Sequence, residues 1–146
     1  MTAQFTILAI NPGSTSTKIA LYENEQEKYV KNIEHSTEEL SQYKAIIDQH
    51  KMRKEAILSA LSGYGFNVNK LSAVVGRGGL LPPVRSGAYE VNDEMLDRLI
   101  RRPVVEHASN LGAVIASEIA RPLGIPAYIY DPVAVDELEP VARITG

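Results

Sequence analysis

The stretch from Phe5 to Tyr22, FTILAINPGSTSTKIALY, constrains this chain more than any other. Residues 5–10 form a continuous apolar run, too short for a typical helix and rich in β-branched residues. Such a run reads as a strand buried on both faces. Asn11-Pro12-Gly13-Ser14 reads as a turn. Pro presets one dihedral, Gly permits a positive one, and Asn and Ser can bond their own backbone. Thr15 to Tyr22 reads as a second strand. Its alternation places Ser14, Ser16 and Lys18 on one face, and Thr15, Thr17, Ile19 and Leu21 on the other. A buried strand thus ends in a tight turn lined by hydroxyls, an amide and one ammonium, donors that suit a terminal phosphate. The loop is not of Walker A type, which needs a glycine just before the lysine and a helix after it. Here Thr17 precedes Lys18 and a strand follows. An ordinary hairpin with a polar tip and a solvated Lys18 fits the same residues, so this stretch alone leaves both readings open.

A chain of 146 residues suffices for one domain with a sizeable core. A net charge of −3 gives no electrostatic case for nucleic acid or an anionic membrane, and neither is expected as a partner. With no cysteine, disulfides and thiolate metal sites are excluded. That fits a reducing compartment, and a cytoplasmic location is expected. The first apolar run follows no basic segment and is too short for a signal peptide. No run approaches the roughly 20 apolar residues that span a bilayer.

Beyond the hairpin, residues 23–28 read as a charged connector, and 29–35 as a third strand pairing back at a sheet edge. Ser36 and Glu39 resemble a capping box. Leu40, Tyr43, Ile47, His50, Ile57, Leu58 and Leu61 follow at helical spacing, with a break near 49–52 and a stop at Gly63 and Gly65. The mixed charges of 44–55 read as a solvated helix face, and His50 as a surface or boundary residue. Residues 71–75, LSAVV, read as a buried strand parallel to the first. It delivers Gly76-Arg77-Gly78-Gly79 at its carboxyl end, where ligands sit in open α/β sheets. Three glycines around one arginine suit a close approach of backbone to ligand better than packing.

Residues 87–91 read as a short strand. Asn92 caps a helix through Arg101, ended by Pro103. Arg98, Arg101 and Arg102 suit that helix C-terminus. A further helix spans about 109–120, and residues 125–130 read as a strand that leads into Asp131. Three polar sites therefore gather at one sheet edge: the Asn11–Lys18 hairpin, Arg77 and Asp131. His107, on the loop before a helix, can join them. Each also has a structural reading, as turn residue, cap or ion-pair partner.

NPGSTSTK, VVGRGG, PVVEHASNLG and YDPVAVDEL together resemble segments of the acetokinase family, and within it the butyrate kinases. The resemblance runs along essentially the whole chain. The first motif alone is similar to the phosphate loop of the wider acetate and sugar kinase, Hsp70 and actin (ASKHA) superfamily. It implies an α/β, ribonuclease H-like domain with a mixed sheet that opens in a three-strand antiparallel meander, helices packed on the sheet. It also implies phosphate-facing roles for Asn11, Gly13, Ser14, Ser16 and Lys18. Arg77 matches the arginine that holds the substrate carboxylate and the developing phosphoryl charge. His107 matches an active-site histidine beside the substrate. Asp131 matches the aspartate associated with Mg²⁺ and with orienting a second histidine.

The implied reaction is reversible phosphoryl transfer between ATP and a short carboxylate, giving acyl phosphate and ADP. The carboxylate is already ionised and needs no general base. The difficulty is bringing two anions together, which calls for Mg²⁺, an arginine and well-placed donors. The acetate-using relatives carry bulkier residues after the arginine, whereas this chain has Gly78 and Gly79, which suggests room for butyrate or a branched analogue. Acetate or propionate as substrate, or a non-catalytic nucleotide-binding module, are the alternatives. A plain ribonuclease H-like nuclease would need several converging carboxylates, and the first strand offers none.

Kinases of this superfamily close two similar domains around the nucleotide. By resemblance, residues 1–146 correspond to an incomplete first domain. The family's adenosine motif, second histidine, second arginine and Mg²⁺-associated glutamate are then expected beyond Gly146. The segment alone is expected to be inactive, to pack against its own C-terminal domain, and to belong to a homo-oligomer.

Overall fold

The computed structural model describes residues 4–77, 88–101 and 108–130. Strand β1 (Thr6–Pro12) is an inner strand of a six-stranded sheet of order β3-β2-β1-β4-β6-β5. β2 (Ser16–Glu23) and β3 (Gln26–Glu34) pair antiparallel in succession, a meander that leaves β3 at the edge. Charged residues along β3, among them Lys28, Lys31 and Glu34, discourage pairing of that edge with another strand. β4 (Ala73–Arg77) runs parallel to β1, and β6 (Ala127–Tyr130) parallel to β4. β5 (Ala88–Glu90) closes the far edge antiparallel to β6. The expected mixed sheet, its meander and the parallel pairing of the 71–75 strand with the first are all present.

The helices follow from local signals. Ser36 Oγ accepts from the Glu39 N–H and starts the single turn of α1 (Thr37–Leu40). A 3₁₀ turn over Ile46–Gln49 leads into α2 (His50–Tyr64), so the break falls at 41–45 rather than near 49–52. Gly63 lies inside α2. Gly65 ends it with φ of 92°, its N–H reaching Leu61 and Ser62 carbonyls. Asn92 Oδ1 accepts from the Met95 N–H and opens α3 (Asp93–Arg101). α4 (Leu111–Leu123) is buried along nearly its whole length and ends at Gly124, again left-handed.

The core lies between one face of the sheet and the helices. Leu8 and Ile10 of β1, Ile19 and Leu21 of β2, and Val74 of β4 pack with Ile57 and Leu61 of α2 and Leu111, Ile115 and Ile119 of α4. A smaller cluster joins Leu99 of α3, Ala113 of α4 and Ile129 of β6. The expectation that β1 is buried on both faces needs correction. Thr6, Leu8, Ile10 and Pro12 are buried, whereas Ile7 and Ala9 are half-buried and Asn11 is exposed. All the described packing helices take one face, so β1 alternates like a strand of a half-covered sheet.

Two local expectations also change. Asn11 and Pro12 belong to β1, which narrows the first turn to residues 13–15. The charged connector shrinks to Asn24-Glu25, with Asn24 at φ of 56°, because β3 already begins at Gln26. Among the described residues no helix is long and apolar enough to cross a membrane.

Candidate active site

Register brings three predicted site residues to one place. Asn11 of β1 is the cross-strand partner of Lys18 of β2, so both lie on the face opposite the helices. Arg77 follows Gly76, which pairs with Ile10, and therefore sits one step on, on the same face as Asn11. β1 and β4 both end here, so Asn11, Lys18 and Arg77 form a row across β2, β1 and β4 at their common edge. Lys18 and Arg77 are exposed, and among the described residues neither side chain has a hydrogen-bond or ion-pair partner. A cleft of about 190 Å³ opens on this face, lined by Ala9, Asn11, Lys18, Ala20, Tyr22 and Tyr130, among others. Burial, and then Glu27 nearby, raise the Tyr22 hydroxyl above its usual pKa; it donates to Glu27 Oε1 at 3.3 Å.

The hairpin tip is held from the other side by a residue that the sequence reading passed over. Arg53 of α2 is fully buried. Its Nη1 donates to Gly13 O at 2.7 Å, Ser16 O at 3.0 Å and Thr17 Oγ1 at 3.2 Å. Its Nη2 donates to Ser14 O at 3.2 Å and to Gln49 Oε1 at 2.8 Å, and Nε also meets Gln49 Oε1, at 3.1 Å. Burial lowers its pKa from the arginine value. The mixed charges of 44–55 are thus not all a solvated face. A signal was present in the sequence: Gln49, Arg53, Ile57 and Leu61 recur every four residues, so Arg53 stands in the apolar stripe of its helix.

His35 completes this cluster. Its Nε2 lies 2.8 Å from Thr17 Oγ1, and its Nδ1 lies 3.6 Å from Glu39 Oε1. Thr17 Oγ1, which accepts from Arg53 Nη1, thus also shares a hydrogen bond with His35 Nε2. Burial, then the charge of Arg53, push the His35 pKa down, against a smaller opposing effect of Glu39. Glu39 is thereby engaged with His35 rather than reaching back as in a full capping box.

Gly13 does not use left-handed backbone: among the described residues only Gly65 and Gly124 are glycines with positive φ. Gly76 also departs from the ligand-approach reading. A Cβ on it would stand 2.3 Å from Gly112 O, so Gly76 lets α4 rest directly on β4. Ser14 is exposed at the tip, and Ser16 is half-buried at the start of β2. Gly78, Gly79, His107 and Asp131 lie outside the described residues, as does Arg102. Among the described residues no three His, Asp or Glu side chains converge as metal ligands. His50, expected at the surface or its boundary, is half-buried and faces Glu118 of α4. It borders a groove of about 420 Å³ between α2, α3 and α4, on the helical side and away from Asn11, Lys18 and Arg77.

The donor set of Lys18, Arg77 and Asn11 suits a polyanion: an ammonium, a guanidinium and an amide, with exposed backbone N–H groups at the tip. The Glu27 carboxylate, bonded to Tyr22, also lines the cleft. The fold has known counterparts. No family model matches the chain. The structure of acetate kinase from Porphyromonas gingivalis superposes with a TM-score of 0.55 at 19% identity, over 86% of this chain and 37% of that one. A propionate kinase from Francisella tularensis subsp. tularensis SCHU S4 does so with a TM-score of 0.50, also at 19% identity, over 86% of this chain and 36% of that one. The chain thus spans little more than a third of the length of either. Its α/β fold, a mixed sheet with helices packed on it, is shared with these two proteins.

Proposed function

We propose that this chain forms the phosphoryl- and carboxylate-binding part of a carboxylate kinase, which transfers phosphate reversibly between ATP and a short aliphatic acid. The observation that carries this reading is the row Asn11, Lys18 and Arg77 at one sheet edge, in a fold shared with an acetate and a propionate kinase. Within the class we favour butyrate or a branched analogue, from the resemblance of the motifs and from Gly78 and Gly79. Acetate or propionate has equal support from the two structural neighbours.

The geometry accounts for the chemistry asked of it. Two anions must approach, so the site needs fixed positive charge and donors already in place. Arg77 holds the carboxylate and the developing charge on the phosphoryl oxygens. Lys18 and Asn11, side by side on the same face, donate to the terminal phosphate. Exposed N–H groups at the hairpin tip add donors that cost no reorganisation during the reaction. Mg²⁺, when bound, would neutralise phosphate charge, with Asp131 as the residue that the resemblance assigns to it.

Hydroxamate-trapped acyl phosphate formation by the intact protein, with ATP, Mg²⁺ and acids of increasing length, tests the reading. A rate that peaks at four carbons or a branched acid supports the butyrate assignment. A peak at acetate or propionate keeps the mechanism and replaces the substrate. No product with any acid favours a non-catalytic nucleotide-binding module. Gly79→Val should shift preference toward acetate by a graded amount, since one methylene is worth only about 1–3 kcal/mol.

A further inference from the structure

We propose that Arg53 is the positioning residue of the hairpin: from beneath, it turns the tip's peptide units so that the Ser14 and Thr15 N–H groups face outward as a phosphate cradle. The argument is one of peptide geometry. In a trans peptide the C=O and the following N–H point in opposite directions. Gly13 O and Ser14 O both accept from the Arg53 guanidinium, on the helical side. The N–H groups of the next residues, Ser14 and Thr15, therefore point away from it. Among the described residues neither donates to any acceptor, and both residues are exposed.

Two other N–H groups at the tip and beside it are already paired. Gly13 N–H closes the turn on Ser16 O at 2.7 Å, and His35 N–H reaches Thr15 O at 2.9 Å. Successive free N–H groups on one side of a turn make an anion-binding concavity. Lys18 and Asn11 add donors at its flank.

The anchor is itself fixed. Gln49 takes two Arg53 donors, and Thr17 Oγ1 takes one while bonded to His35. A guanidinium presents several donors in a rigid fork, so it can grip three carbonyls of one turn at once; an ammonium cannot reproduce that fork. A buried cation on such a lattice of carbonyls has no ligand-contacting role, so any effect on ligand must pass through the tip backbone.

The proposal rests on the phosphoryl-transfer reading, and the experiment separates the two. In the intact protein Arg53→Lys and Arg53→Met are compared with wild type, folding being checked by circular dichroism and melting. Arg53→Lys keeps the charge and is the variant on which the test depends. The expected result is a kcat for acyl phosphate formation lower by about 10- to 100-fold in Arg53→Lys, with the carboxylate KM within about twofold. An unchanged kcat in a folded Arg53→Lys overturns the proposal. Independently of catalysis, millimolar inorganic phosphate should shift the Ser14 and Thr15 amide resonances in wild type and not in Arg53→Lys. If wild type makes no acyl phosphate but shows these Arg53-dependent shifts, the kinase reading falls and the cradle stands. Shifts that persist in Arg53→Lys, or none in wild type, remove the cradle.

Discussion

Gly112 of α4 presses on the carbonyl oxygen of Arg77: a Cβ on Gly112 would stand 2.1 Å from it. Gly76 meets Gly112 from the strand side at a comparable separation. This contact of helix backbone on strand backbone sets the depth of α4 and with it the height of the strand end that carries Arg77. Gly112→Ala should destabilise by about 1–3 kcal/mol or more, because backbone atoms rather than a flexible side-chain end must yield. Urea unfolding midpoints would show it; a midpoint equal to wild type would mean the contact relaxes freely.

Gly13→Ala should behave in the opposite way. A Cβ there would lie 3.5 Å from Ser16 O and 3.6 Å from Ser16 Oγ, which is ordinary contact. With no left-handed φ to lose, stability should stay within about 1 kcal/mol of wild type. A loss of acyl phosphate formation with unchanged melting would then report close approach of a ligand to the tip.

Lys18→Met and Arg77→Met should separate site from scaffold. Both side chains are exposed and without partners among the described residues. Stability should change by no more than about 0.5 kcal/mol. Acyl phosphate formation should fall by about 10²–10³ for either. Turnover near wild type in both variants would contradict the roles given to them.

The cluster under the hairpin should make stability pH-dependent. The His35 pKa in the fold lies below its ordinary value of about 6.5, through burial and the charge of Arg53. Above that value His35 is neutral in both folded and unfolded chains, and its contribution is fully present. As pH falls below it, the unfolded chain takes up the proton first, so stability is lost until the folded-state pKa is passed. Melting temperature should therefore drop as pH falls through about 6.5, and less steeply in His35→Asn. Parallel profiles for the two proteins would show that another group is responsible.

The sequence by itself determined the local elements: the hairpin, the capped starts at Ser36 and Asn92, the glycine stop at Gly65, and the parallel strand ending in Arg77. These rest on alternation, helical spacing and caps, which act over a few residues and are written in the order of the chain. Tertiary structure decided what those elements face. Arg53 lies 40 residues from Gly13, and its helix could have shown it to water; only docking of α2 under the hairpin makes it an anchor. Gly76 reads as ligand space until α4 is seen to rest on it. The apolar run of β1 reads as buried on both sides until the helices all take one face, leaving Asn11, Lys18 and Arg77 on the other. Burial and charge compensation depend on which surfaces meet across the fold, and spacing along the chain does not carry that information.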